Sequence, residues 1–109
     1  MKSTVNQLAV LNRATAMVKK GYDLNQSLNT SAMIELLQFQ LMNGCAKFLY
    51  LKKDGTTRQA YGTLLEKVIE KNINGFGYSK KYDGLQAYYD VEEQAWRSFR
   101  YENLITILN

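Results

Sequence analysis

Cys45-Ala-Lys-Phe-Leu-Tyr-Leu-Lys-Lys-Asp54-Gly55-Thr-Thr-Arg-Gln-Ala-Tyr-Gly-Thr-Leu64 is the stretch that decides the fold. Up to Gly44 the apolar residues recur at helical spacing, and from Cys45 onward they alternate. Ala46, Phe48 and Tyr50 take one side of an extended chain, and Lys47, Leu49 and Leu51 the other. Asp54-Gly55 then falls between two extended runs, where glycine accepts the positive φ of a hairpin turn. The second run goes from Thr57 to about Leu64. Gly62 within it marks a bulge or a sharp bend, as small barrels need at their corners.

Upstream, Thr4 and Gln7 have the form of a capping box. Val10, Ala14, Met17 and Val18 follow at helical spacing, and Lys19, Lys20 and Gly21 suit a helix end. A second helix starts at Asp23, with Gln26 at its third position; a later start capped by Asn29 or Thr30 is the alternative. Leu28, Ala32, Leu36, Phe39 and Met42 carry its apolar stripe, widened by Ile34, Leu37 and Leu41. The short link between the helices predicts an antiparallel pair.

Downstream, residues 65–84 are less regular, with Leu65, Val68 and Ile69 placed for one helical turn. Leu85 to Val91 reads as a third strand, Glu92-Glu93-Gln94 as a turn and Ala95 to Arg100 as a fourth strand. Tyr101-Glu102-Asn103 is a tight turn before a short last strand, Leu104 to Leu108. The fold class is therefore α+β, one domain over residues 1–109. A helical hairpin (1–44) precedes a five-stranded antiparallel small β-barrel (45–109).

Composition narrows the function classes. The hydrophobic fraction of 46% supports a real core and argues against overall disorder. One cysteine, Cys45, precludes an internal disulfide and suits a reducing, cytoplasmic setting. No histidine is present, which removes the commonest metal ligand and general base. Glu66 and Glu70, and Glu92-Glu93, do not resemble a placed acid/base pair. The expectation is a protein that is not an enzyme, with no cofactor and no metal site. No apolar region follows Met1-Lys2-Ser3-Thr4, so neither a signal peptide nor a membrane span is expected.

The net charge of +4 is densest on the first hairpin, where Lys47, Lys52, Lys53 and Arg58 face only Asp54. Basic groups beside Tyr50 and Tyr61 have the pattern of single-strand binding surfaces on small barrels. The plainer alternative is a soluble strand edge guarded by lysines. On the fourth strand, Trp96 and Arg100 share one face, and Arg97 shares the other with Phe99. Arginine forks grip phosphate and an indole can stack on a base. Equally, Trp96 and Phe99 could be core, with the arginines paired to Asp90, Glu92 or Glu93. A third candidate is the loop holding Tyr78, Lys80 and Lys81.

Trp96-Arg97-Ser98-Phe99-Arg100-Tyr101-Glu102-Asn103-Leu104-Ile105 resembles the closing segment of WYL domains. Ala87-Tyr88-Tyr89-Asp90 lies where that family has its aromatic strand, with Gln86-Ala87-Tyr88-Tyr89 in place of the literal Trp-Tyr-Leu. The first hairpin fits as well. The ordered set is similar to a small WYL-like family of bacterial and phage type, with an Sm-like SH3 barrel behind two helices. The resemblance implies an Sm-like or SH3-like barrel and a nucleic-acid or nucleotide ligand, with Arg97 and Arg100 at ligand-contacting positions. The leading expectation is thus a small-barrel binding or regulatory protein, its ligand held by Arg97, Arg100, Trp96, Lys47, Lys52, Lys53, Arg58 and Tyr50. The alternative is a phage- or mobile-element-encoded protein-interaction module, such as an inhibitor of a host defence complex. Self-association through exposed strand edges is a related expectation.

Overall fold

The switch of period at Gly44 is the joint of the molecule. The computed structural model describes residues 6–72 and 84–108, with side chains of 70–72 outside the description. Helices α1 (Gln7–Lys19) and α2 (Leu24–Asn43) are followed by strands β1 (Cys45–Leu51) and β2 (Thr57–Thr63). A short helix α3 (Glu66–Asn72) comes next, then β3 (Leu85–Asp90), β4 (Ala95–Arg100), a 3-10 turn (Tyr101–Asn103) and β5 (Leu104–Leu108). The expected turn at Leu65–Ile69 is therefore the start of α3.

Asn6 caps α1, its side chain accepting from the Ala9 amide at 3.1 Å. Thr4, the cap suggested by sequence, lies outside the described residues. Asp23 caps α2 by accepting from the Gln26 amide at 3.0 Å, so the later start is not used. Gly21, at φ +103°, supplies the left-handed step between the helices.

The face α2 buries differs from the predicted one. Ser27, Ser31, Ile34, Leu37 and Leu41 are buried, whereas Leu36, Phe39 and Met42 are exposed. Two apolar stripes run along this helix, and spacing alone ranks them wrongly. The small Ser27 and Ser31 sit on the buried face beside α1, where the Ser31 hydroxyl donates to the Val10 carbonyl at 2.8 Å.

The strands form one antiparallel sheet in the order β4-β3-β2-β1-β5. Its inner face carries Ala46, Phe48, Tyr50, Ala60, Tyr88, Phe99 and Leu104, and these pack with Ile34, Leu37 and Leu41 of α2 in one core. Tyr50 on β1 stacks on Phe99 of β4 with ring centres 4.5 Å apart, although β1 and β4 are not neighbours in the sheet. That contact across the interior is what curls the sheet into a barrel. Phe48 meets Tyr88 edge-on at 5.0 Å, and the Tyr50 and Tyr88 hydroxyls share a hydrogen bond of 2.8 Å. Burial foremost, then that bond, pushes the Tyr88 hydroxyl above the ordinary phenol range.

Gly62 has a different reason from the expected bulge. The β1–β2 register runs unbroken from Cys45↔Thr63 to Leu51↔Thr57. The register shift lies instead between Leu49 and Tyr50, against β5. A Cβ on Gly62 would collide with the Tyr88 ring, so glycine is there for close approach. Next to it, buried Thr63 joins barrel to helix. Its hydroxyl donates to the Gly44 carbonyl at 2.6 Å, and the Leu64 amide donates to the Leu41 carbonyl at 2.8 Å. Carbonyls at the end of α2 are thereby satisfied.

Candidate functional site

A cleft of about 500 Å³ opens where the tip of the β1–β2 hairpin faces β4. Tyr50, Lys52, Lys53 and Arg58 line one part of it, and Trp96, Arg97 and Arg100 another. Two groups of residues that were separate in the sequence thus share one hollow. The cause lies in the core. Tyr50 pairs in register with Arg58, and Tyr88 with Arg97. The Tyr50–Phe99 stack then draws the hairpin toward β4 and the cations with it.

Asp90 organises the charges. It is 2% exposed. Its Oδ2 accepts from Arg97 Nε at 3.0 Å and lies 4.0 Å from Arg58 Nη1. Its Oδ1 accepts the backbone amides of Glu92 and Glu93, both at 3.0 Å, which fixes the β3–β4 turn. One buried carboxylate therefore tethers guanidinium groups from two strands, β2 and β4. Arg97 meets it through Nε alone. Arg100 lies 4.0 Å from the largely buried Glu102, and Lys52 and Lys53 make no ion pair among the described residues. Five cations line the cleft against the carboxylates of Asp90, Glu102 and the hairpin's Asp54, which interacts with Lys52, so its potential is positive.

The alternation expected for β4 holds: Phe99 is buried and Arg97 half-buried on the inner side, while Arg100 is exposed. The Asp90 partner weighed for the arginines is found for Arg97, whereas Arg100 takes Glu102. Trp96 is half-buried and meets Tyr89 edge-on at 5.8 Å, while still lining the cleft. Lys47 is not part of this site. It points from the outer face of β1 over the Tyr61 ring, 5.8 Å from its centre. Tyr78, Lys80 and Lys81 lie outside the described residues.

Asp90 as a hub was missed, although an aspartate opening a Glu-Glu-Gln turn is an Asx-turn signal. A second polar cluster was missed entirely. Arg13 of α1 donates to the Ser31 carbonyl at 2.9 Å and to Glu35 Oε1 at 3.1 Å, and its guanidinium sits 5.2 Å from the Tyr101 ring centre. Gln38 donates to Gln86 Oε1 at 2.8 Å. These bonds hold the helical hairpin against β3 and the 3-10 turn. No local pattern foretells them, because each pair is far apart in the chain. Among the described residues no helix is long and apolar enough to cross a membrane, and no group of three metal-ligating side chains is gathered.

One protein-family model, described as WYL_2 with an Sm-like SH3 beta-barrel fold, matches residues 34–105. That span covers the last part of α2, where the helix enters the barrel core, strands β1 to β4 and the first two residues of β5. No curated protein and no solved structure matches the chain.

Proposed function

The chain belongs to the WYL_2 family, with its Sm-like SH3 barrel, and from that premise we propose a non-enzymatic binding or regulatory module for nucleic acid or a nucleotide. The observation that carries this reading is the gathering of Lys52, Lys53, Arg58, Arg97 and Arg100 with Tyr50 and Trp96 in one cleft. Phosphate oxygens suit the guanidinium and ammonium donors, and a base suits the aromatic walls. The test is binding of short labelled single- and double-stranded DNA and RNA at low and physiological salt. Affinity falls steeply with salt. Arg97→Ala with Arg100→Ala removes binding while circular dichroism stays unchanged. Salt-independent binding, or binding that survives both replacements, contradicts the reading.

One observation favours a second reading, a protein-interaction module. Leu36, Phe39 and Met42 form an exposed apolar stripe on α2, 41–62% accessible, of the kind that anchors helix-mediated contacts. Its feature is salt-tolerant capture of a protein, lost on Phe39→Ser.

A further inference from the structure

We propose that the cleft takes the terminal phosphate of a nucleotide, a phosphomonoester, in preference to the internal phosphodiesters of a strand. This rests on the nucleotide reading above and names the chemical class of its ligand.

The first ground is the concentration of charge. Arg58 and Arg97 come from different strands yet both reach the same oxygen of Asp90, at 4.0 and 3.0 Å. Two guanidinium charges are held at one point against a single carboxylate. Arg97 spends only Nε on Asp90, and its two Nη nitrogens make no hydrogen bond among the described residues. Lys52, Lys53 and the exposed Arg100 line the same hollow. A diester brings one negative charge to such a point. A terminal phosphate brings about 1.5 to 2 charges at neutral pH and three acceptor oxygens. The dianion is the better match to fixed, paired arginines.

The second ground is shape. A surface that tracks a strand spreads its cations along a groove. Here they converge: Lys47, on the same strand as Tyr50, is turned away to Tyr61. A cleft of about 500 Å³ has the size of a small-ligand pocket. With Tyr50 and Trp96 in its lining it has room for one nucleotide, phosphate and base together.

The same chemistry comes from a free mononucleotide or from the phosphorylated end of a strand, and the experiment separates the two. The probes are 5′-AMP, adenosine, and one short single-stranded oligonucleotide with either a 5′-phosphate or a 5′-hydroxyl. Binding to the full chain is measured by calorimetry and fluorescence anisotropy. The phosphorylated oligonucleotide binds about tenfold more tightly than its hydroxyl twin. Its affinity rises about threefold from about pH 5.5 to about pH 7.5, as the phosphate, with its second pKa near 6, loses its proton. The hydroxyl twin shows no such rise. The assay is clean because the chain has no histidine. The charged groups at the cleft are Lys52, Lys53, Asp54, Arg58, Asp90, Arg97, Arg100 and Glu102, and the hydroxyl twin reports any pH response of the protein itself. Arg58→Gln brings the two oligonucleotides to within about twofold of each other.

Binding of 5′-AMP but not adenosine assigns the phosphate to a mononucleotide. Binding of the phosphorylated strand alone assigns it to a strand end. Equal, pH-independent binding of both oligonucleotides overturns the proposal and leaves the nucleic-acid reading standing. No binding of any probe overturns both.

Discussion

Removing the Asp90 carboxylate is the perturbation whose cost the structure states most fully. In Asp90→Ala the Glu92 and Glu93 amides each lose an acceptor at 3.0 Å. Those two bonds cost about 1 kcal/mol each. The Arg97 ion pair is worth less than its 3.0 Å length suggests, because the Arg97 side chain is 30% exposed and screened by water. It adds up to about 1 kcal/mol. Arg58 and Arg97 are then left near each other without their counter-charge. The expected total is about 3 kcal/mol, or a fall of about 10 °C in Tm for a domain of this size. Asp90→Asn removes the charge but keeps an oxygen to accept the turn amides, so it costs about 1 kcal/mol. Urea unfolding of the three proteins, analysed with a common slope, measures this. If Asp90→Ala lies within about 0.5 kcal/mol of the parent, or Asn is as costly as Ala, Asp90 is not the hub described.

Gly62→Ala drives a methyl into the fully buried Tyr88 ring and costs about 3 kcal/mol by urea unfolding; a neutral outcome means the ring is free to move. Tyr88 links stability to alkaline pH. Its hydroxyl ionises less readily folded than unfolded, so its contribution is full below about pH 10, the unfolded phenol value, and is lost as pH rises above that. The Tm of Tyr88→Phe therefore falls less than the parent's between about pH 9.5 and about pH 11, and parallel declines refute the point. Lys47→Ala leaves oligonucleotide affinity within about twofold of the parent, because Lys47 sits over Tyr61 and not in the cleft. An effect as large as that of Lys52→Ala contradicts this placement.

The barrel was legible because strand alternation and turn chemistry are local. Ala46, Phe48 and Tyr50 point inward as their alternation requires, and Gly55 takes φ +90° in the expected hairpin. The helices were legible in position but not in orientation. Both Leu36-Phe39-Met42 and Ile34-Leu37-Leu41 have helical spacing, and only docking on the barrel decides which is covered. Gly62 shows the same limit: a strand glycine announces some close approach, but Tyr88 as the approaching group is a long-range fact. At the candidate site the residue types were readable, since arginines, lysines and aromatics stand out. Their convergence was not, because it depends on Tyr50 meeting Phe99 across the barrel. Asp90 was weighed only as a partner for arginines. Its hold on two arginines and a turn at once needs the β2–β3–β4 register.

The cleft as the ligand site is tested most directly by mapping amide chemical-shift changes by NMR while a 5′-phosphorylated single-stranded oligonucleotide is titrated into the protein. Shifts concentrated at Lys52, Lys53, Arg58 and Trp96 to Arg100, with α2 undisturbed around Phe39, are the expected result. Shifts confined to Leu36, Phe39 and Met42, or spread evenly over the lysines including Lys47, would contradict it.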